Sequence, residues 1–177
     1  KHTDETLEIW NKEEVLSDVV RVIRQFRPDI IINRFDHRTP GSTHGHHTSS
    51  AILSTEAFAL AGNDDAFPEQ LEGLEPWRPQ RLFFNTSWWF YGSPEKFEEA
   101  DKSRLVPMDI GVYYPERGLS NNEIASMASS QHRCQGFGRL TVRGSEMEYV
   151  ELLEGEMPAG QDLFDGIETS WKRLEGG

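Results

Sequence analysis

The sequence predicts an α/β fold of three layers, and three features predict it. A helical stripe runs from about Lys12 to Phe26, a wholly apolar run follows at Ile30 to Ile32, and a second helical pattern extends from about His46 to Leu60. Helix, strand, helix with short joins is the order by which a parallel sheet is covered by helices. A chain of 177 residues suits one domain with a real core and a small appendage.

Taken in order, Thr3 or Asp4 can cap a short opening turn whose apolar side is Leu7, Ile9 and Trp10. In the main first helix Val15, Val19, Ile23 and Phe26 recur at helical spacing, which makes them the core-facing stripe, with Glu13, Asp18 and Arg21 outside. Arg27 and Pro28 stop it. The run IIIN is apolar on both faces and reads as a buried parallel strand. The second helix places Ala51, Thr55 and Phe58 on one stripe and ends at Gly62, and the polar stretch from Asn63 to Pro79 reads as a surface excursion. RLFFN, Arg81 to Asn85, is the next strand, and VPMDIG, Val106 to Gly111, a further extended segment. Ser120 to Glu123 has capping-box spacing at the head of a helix that continues to about Gln131. The pattern changes from Arg139 onward, where EYVELLE, residues 148 to 154, suggests one more strand. From 154 to 177 glycine, proline and acidic residues accumulate, as in a linker or the opening of another module.

The chemistry concentrates in RFDHRTPGSTHGHHTSSA, from Arg34 to Ala51. His44, His46 and His47 are three of the six histidines in the chain. Residues three apart on a first helical turn point the same way, so His44 and His47 are placed to face one metal or one substrate together. A loop-to-helix junction also tolerates histidine as plain solvated surface. Two features favour a site: the cluster follows directly on an apolar strand, where α/β proteins place their ligands, and Gly41, Thr43 and Gly45 allow a tight turn and a cap. The SWWFYG cluster has two readings as well. It is either a hydrophobic cap over the sheet edge or, through Trp88 and Trp89, the wall of a sugar-binding cleft, because flat aromatic faces suit pyranose rings. His132 and Arg133 close the later helix, where a cationic pair also complements the dipole.

Composition narrows the partners. Thirty acidic against eighteen basic residues give a net charge of −12, which argues against nucleic acid and against an anionic membrane. The single cysteine, Cys134, excludes an internal disulfide framework and a thiolate zinc cage. No apolar run approaches the roughly 18 residues of a membrane span, and KHTDETLEIW is too polar for a signal peptide. Compartment stays open.

Two segments together carry a family resemblance. RPDIII with the following loop and HGHHTSSA resembles the second signature of the PIG-L/LmbE-like N-acetylglucosaminyl deacetylases, in which an HPDH pattern opens a helix. MDIGVYYPERGLSNNEIASMASSQHRCQG resembles a later segment of the same family. The resemblance implies a Rossmann-like parallel sheet, zinc as cofactor, and removal of an acetyl group from an N-acetylated amino sugar or glycoconjugate. It implies His47 as a metal ligand and His44 as a donor to the oxyanion or the leaving amine. Asp36 and His132 are further catalytic candidates, and Arg38, Trp88, Trp89 and Arg133 candidate substrate contacts.

The family aspartate between the two histidines is His46 here, and the AHPDDE signature that supplies the other ligands is absent. Its nearest counterpart, HTDE at His2 to Glu5, follows no strand. The expectation is therefore that residues 1–153 are the C-terminal part of such a domain, its opening strands absent. A missing N-terminal half, or another chain, would then complete the site, and exposed strand edges would favour pairing into a homo-oligomer. One histidine cannot hold catalytic zinc, which takes about three protein ligands, so the chain alone is expected to be inactive. The alternative is a non-catalytic carbohydrate-binding or scaffolding domain of the same fold.

Overall fold

The structure is a computed structural model that describes residues 2–136, 143–160 and 162–174, so the change of pattern at Arg139 lies outside the described residues. The chain forms two compact units, Lys1–Val106 with Val150–Gly177, and Pro107–Tyr149. The first holds helices α1 (Thr3–Ile9), α2 (Lys12–Phe26) and α3 (Gly45–Leu60), strands β1 (Ile30–Asn33) and β2 (Arg81–Thr86), and two short helices, α4 (Trp88–Tyr91) and α5 (Pro94–Glu99). The four-stranded sheet runs β1-β2-β6-β3, with β3 at Leu105–Asp109 and β6 at Met147–Gly155. β1 and β2 are parallel, Ile31 facing Leu82 and Ile32 facing Phe83. This is a mixed α/β architecture of sheet and flanking helices, compatible with an incomplete Rossmann-like fold. The second unit holds the antiparallel pair β4 (Tyr113–Tyr114) and β5 (Leu119–Ser120), then α6 (Asn121–Ser129) and a 3-10 turn at Arg133–Gln135.

β2 is the central strand by burial: Leu82, Phe83 and Phe84 in succession are buried, as a strand covered on both faces requires. Leu16, Val20 and Ile23 of α2 pack with Leu53 and Ala57 of α3 and with Ala61 beyond it to form the main helical core. The stripe on α2 is therefore not the one expected. Val15 and Val19 flank the core, and Phe26 is 78 % exposed. The reason is Arg24, which is 1 % exposed and turns its face of the helix inward. Its guanidinium donates to the carbonyls of Leu60, Ala61, Asn63, Ala66 and Phe67. It thus satisfies the last turn of α3, whose carbonyls have no partners within the helix.

The same contacts correct the reading of the stretch after α3 as a plain surface excursion. Gln70, in a 3-10 turn at Pro68–Glu72, is buried and donates to the carbonyl and hydroxyl of Ser17, both at 2.9 Å. β1 also departs from expectation. It lies at the end of the sheet order, and Ile32 is 49 % exposed, because an edge strand is not covered like a central one. The residues from Glu154 onward belong to the first unit. Arg81, buried at the start of β2, donates to the carbonyls of Glu156 at 2.8 Å and of Leu163 and Asp165 at 2.7 Å.

Candidate functional site

The chain leaves the carboxyl end of β1 at Asn33 and reaches α3 at Gly45, so the histidines sit where parallel strands deliver loops. The helix begins one residue earlier than expected. His44 is its N-cap, with extended backbone and no side-chain cap bond, while the Thr43 hydroxyl lies 3.3 Å from that of Thr48. Glycine at position 45 is dictated by a close approach: a Cβ there would stand 2.6 Å from the His2 carbonyl oxygen and 2.8 Å from the Thr6 hydroxyl. The start of α1 is thereby pressed against the start of α3.

Three imidazoles crowd this turn. Ring centroids are 4.2 Å apart for His46 and His47, 5.3 Å for His44 and His47, and 5.5 Å for His44 and His46. His47 also stacks on Phe35 at 3.8 Å with planes 7° apart, which fixes its orientation. Its Nδ1 is buried and has no hydrogen-bond partner. Burial holds the His47 pKa below the usual imidazole value, with the neighbouring His46 and His44 adding to the effect. A neutral ring of fixed plane with a nitrogen in want of a partner is the form in which histidine ligates metals.

One residue beyond Phe35 begins a second group. Asp36, 9 % exposed, accepts from the Arg38 amide at 3.0 Å and from Arg38 Nε at 2.8 Å. Arg38 in turn forks onto Glu151 of β6, at 2.8 and 2.7 Å. Glu151 above all, then Asp36, hold the Arg38 guanidinium well above its ordinary pKa, against a smaller opposing effect of burial. These side chains line a cavity of about 270 Å³ with Phe84, Thr86, Phe90 and Tyr91. Burial, then the Glu151 charge, raises the Tyr91 phenol.

The expected residues therefore divide. His44 and His47 meet with His46 in one cluster; Asp36 and Arg38 meet in the adjoining cavity. The aromatic run splits, with Phe90 and Tyr91 lining the cavity while Trp88 and Trp89 stand 50 % and 53 % exposed on α4. His132 and Arg133 belong to the second unit, at the 3-10 turn after α6. Two further residues belong to the cavity: Tyr91 lies within the SWWFYG run, whereas nothing local in the sequence marks Glu151, 113 positions from its arginine.

Zinc places a definite demand on these residues. Among the described residues no group of three His, Cys, Asp or Glu side chains is arranged to hold a metal ion. A buried, unpartnered Nδ1 fits one ligand position at His47, but the described residues do not supply the three that catalytic zinc takes.

The fold and the site define an α/β protein with a histidine turn and a charged cavity at the carboxyl end of a parallel strand. No family model matches the chain. The chain is similar to the 1D-myo-inositol 2-acetamido-2-deoxy-alpha-D-glucopyranoside deacetylase of Thermobispora bispora, with 34 % identity over 71 residues. That stretch is 40 % of this chain and spans about a fifth, 21 %, of the relative's length. Among the described residues no helix is long and apolar enough to cross a membrane.

Proposed function

We propose that the chain is part of a zinc-dependent N-deacetylase that removes the acetyl group from an acetylated amino sugar or glycoconjugate. The observation that carries this reading is the buried, unpartnered Nδ1 of His47 at the carboxyl end of β1. The partial likeness to a sugar-amide deacetylase supports it. His47 contributes one ligand, and the others come from residues outside this chain, in a missing N-terminal half or in another chain. A bound zinc ion would supply an acidified water and a Lewis acid.

The chain's own residues then have separate tasks. His44, whose ring lies 5.3 Å from that of His47, donates a proton or hydrogen bond at the acetamide oxygen or the departing nitrogen. Asp36 holds Arg38 beside the substrate, and Trp88 and Trp89 offer exposed ring faces to a sugar. The roles of His132 and Arg133 stand on the sequence resemblance alone.

The test is zinc content per chain on the present 177 residues and on a form extended upstream, each with and without His47→Ala. Near-stoichiometric zinc only in the extended form, lost with His47→Ala together with amide hydrolysis, is the expected result. Full hydrolytic activity of the extended His47→Ala protein would sink the reading.

A second reading is favoured by the exposed Trp88 and Trp89 and by the want of a three-ligand group among the described residues. It is a carbohydrate-binding or scaffolding domain without catalysis. Zinc in neither form, with sugar binding that depends on Trp88 and Trp89, would select it.

A further inference from the structure

A second cavity lies at the other end of the β1–β2 pair from the histidine turn, where β2 begins and β6 ends. It measures about 690 Å³, and its charged lining is Arg78, Arg81, Glu154, Glu156 and Asp165. Among the described residues no ion pair includes any of these groups. Beside the histidine turn, by contrast, Asp36, Arg38 and Glu151 are joined to one another.

Arg81 is 6 % exposed, and a buried charge is costly to leave without an opposite one. Its Nε and one N–H from each Nη go to carbonyls of the last segment. A guanidinium carries five N–H donors, so one on each Nη has no acceptor among the described residues. Arg24, also buried, is saturated: its Nη1 has two acceptors and its Nη2 three. Gly166 shows where the unfilled end of Arg81 lies. It lines the cavity, and a Cβ on it would stand 3.9 Å from Arg81 Nη2. Arg78 is exposed and adds a second cation to the lining, while Glu154, Glu156 and Asp165 are exposed carboxylates. Phe58 and Met157 supply apolar surface between the charges.

We propose that this cavity binds a short zwitterionic peptide, its carboxylate on Arg81 and Arg78 and its ammonium among Glu154, Glu156 and Asp165. A simple anion would answer the buried guanidinium but meet more negative than positive charge. A simple cation would leave the guanidinium uncompensated. A ligand with both charges satisfies both groups, and an apolar side chain between them can lie on Phe58 and Met157. The volume of about 690 Å³ falls within the roughly 300–1,000 Å³ of small-molecule pockets and accommodates a dipeptide. The site shares no residue with the histidine turn, so it stands whether or not the deacetylase reading does.

The experiment is a titration of the 177-residue chain, followed by the backbone amide resonances of Gly155 and Gly166 in NMR. Three probes share one size and differ in charge: alanyl-leucine, N-acetyl-alanyl-leucine and alanyl-leucine amide. Alanyl-leucine should bind saturably and about fivefold or more tighter than the N-acetyl probe, the scale of an exposed ion pair. It should exceed the amide probe by about tenfold or more, because charge-assisted bonds to a buried guanidinium are lost. Glu154→Gln with Glu156→Gln should bring alanyl-leucine to within about twofold of the N-acetyl probe. Arg78→Gln is the second variant should that pair fail to fold, and should weaken both carboxylate-bearing probes while leaving the amide probe unchanged. An N-acetyl probe as tight as alanyl-leucine overturns the proposal, as does an amide probe as tight. No saturable shift at Gly155 and Gly166 overturns it too.

Discussion

Gly45 shows how much of the site depends on a side chain that is not there. In a helix interior alanine is favoured over glycine by about 1 kcal/mol. Here the added Cβ would lie 2.6 Å from the His2 carbonyl oxygen, a backbone atom that cannot rotate away as a flexible side chain can. α1 must then move off the head of α3, breaking the bond from the Ser49 hydroxyl to the Thr3 carbonyl at 3.3 Å. The clash outweighs the propensity gain. Gly45→Ala is expected to destabilise the chain by roughly 1–3 kcal/mol, the usual cost of overpacking. It should also speed amide exchange in Thr3–Ile9. Chemical denaturation and hydrogen exchange check both, and a more stable Gly45→Ala protein would show that α1 does not hold this turn.

At the scale of elements, α6 is the clearest case of a local signal fulfilled. The Ser120 hydroxyl accepts from the Glu123 amide at 3.3 Å, and the Glu123 carboxylate accepts from the Ser120 amide at 2.9 Å, a complete capping box. Arg143 Nε also donates to Glu123 at 2.8 Å. The Ser120 amide chiefly, then Arg143 and the Ser120 hydroxyl, hold the Glu123 pKa below its ordinary 4.5, outweighing burial. A carboxylate whose pKa is lowered by folding stabilises the fold at pH above its unfolded value. That contribution is lost as pH falls through the lowered folded value. Exchange protection of the Ser120 amide should therefore be flat near neutrality and decline as pH falls below the ordinary carboxylate range. Glu123→Gln should remove the pH dependence, and protection unchanged through the acid range would refute the role of the carboxylate. Legibility of the elements follows the same physics. The ends of α2, the parallel strand after it and this capping box could be read because periodicity and caps act within a few residues. The facing of α2 could not, because it is set by Arg24 reaching carbonyls 36 to 43 positions away. The pairing of Arg38 with Glu151 across the sheet was hidden for the same reason, whereas the histidine cluster could be read because all three rings lie within one turn.

At the scale of the whole molecule, the first compact unit returns to itself through its last residues. Glycine, proline and acidic residues from Glu154 onward suggest a linker, since such composition buries little apolar surface. What ties it down is one buried cation: Arg81 caps the carbonyls of Glu156, Leu163 and Asp165 from the first position of β2. Leu163 is buried beside them, and Arg173 reaches Asp29 at 3.2 Å from the end of the described segment. Three carbonyls sharing one guanidinium make this attachment polar and cooperative, so a single substitution should undo it. Arg81→Ala leaves those acceptors without their donor, at a cost of about 1–3 kcal/mol for each that stays buried. The segment relieves that cost by detaching into water. Cleavage by a glutamate-specific protease after Glu156 or Glu168 should then become rapid, while β1 and β2 keep their protection. Arg81→Lys should behave like the alanine variant, because one ammonium cannot reproduce the spread of a planar fork. Cleavage of Arg81→Ala at the unaltered rate would mean that Leu163 and Arg173 suffice to hold the segment.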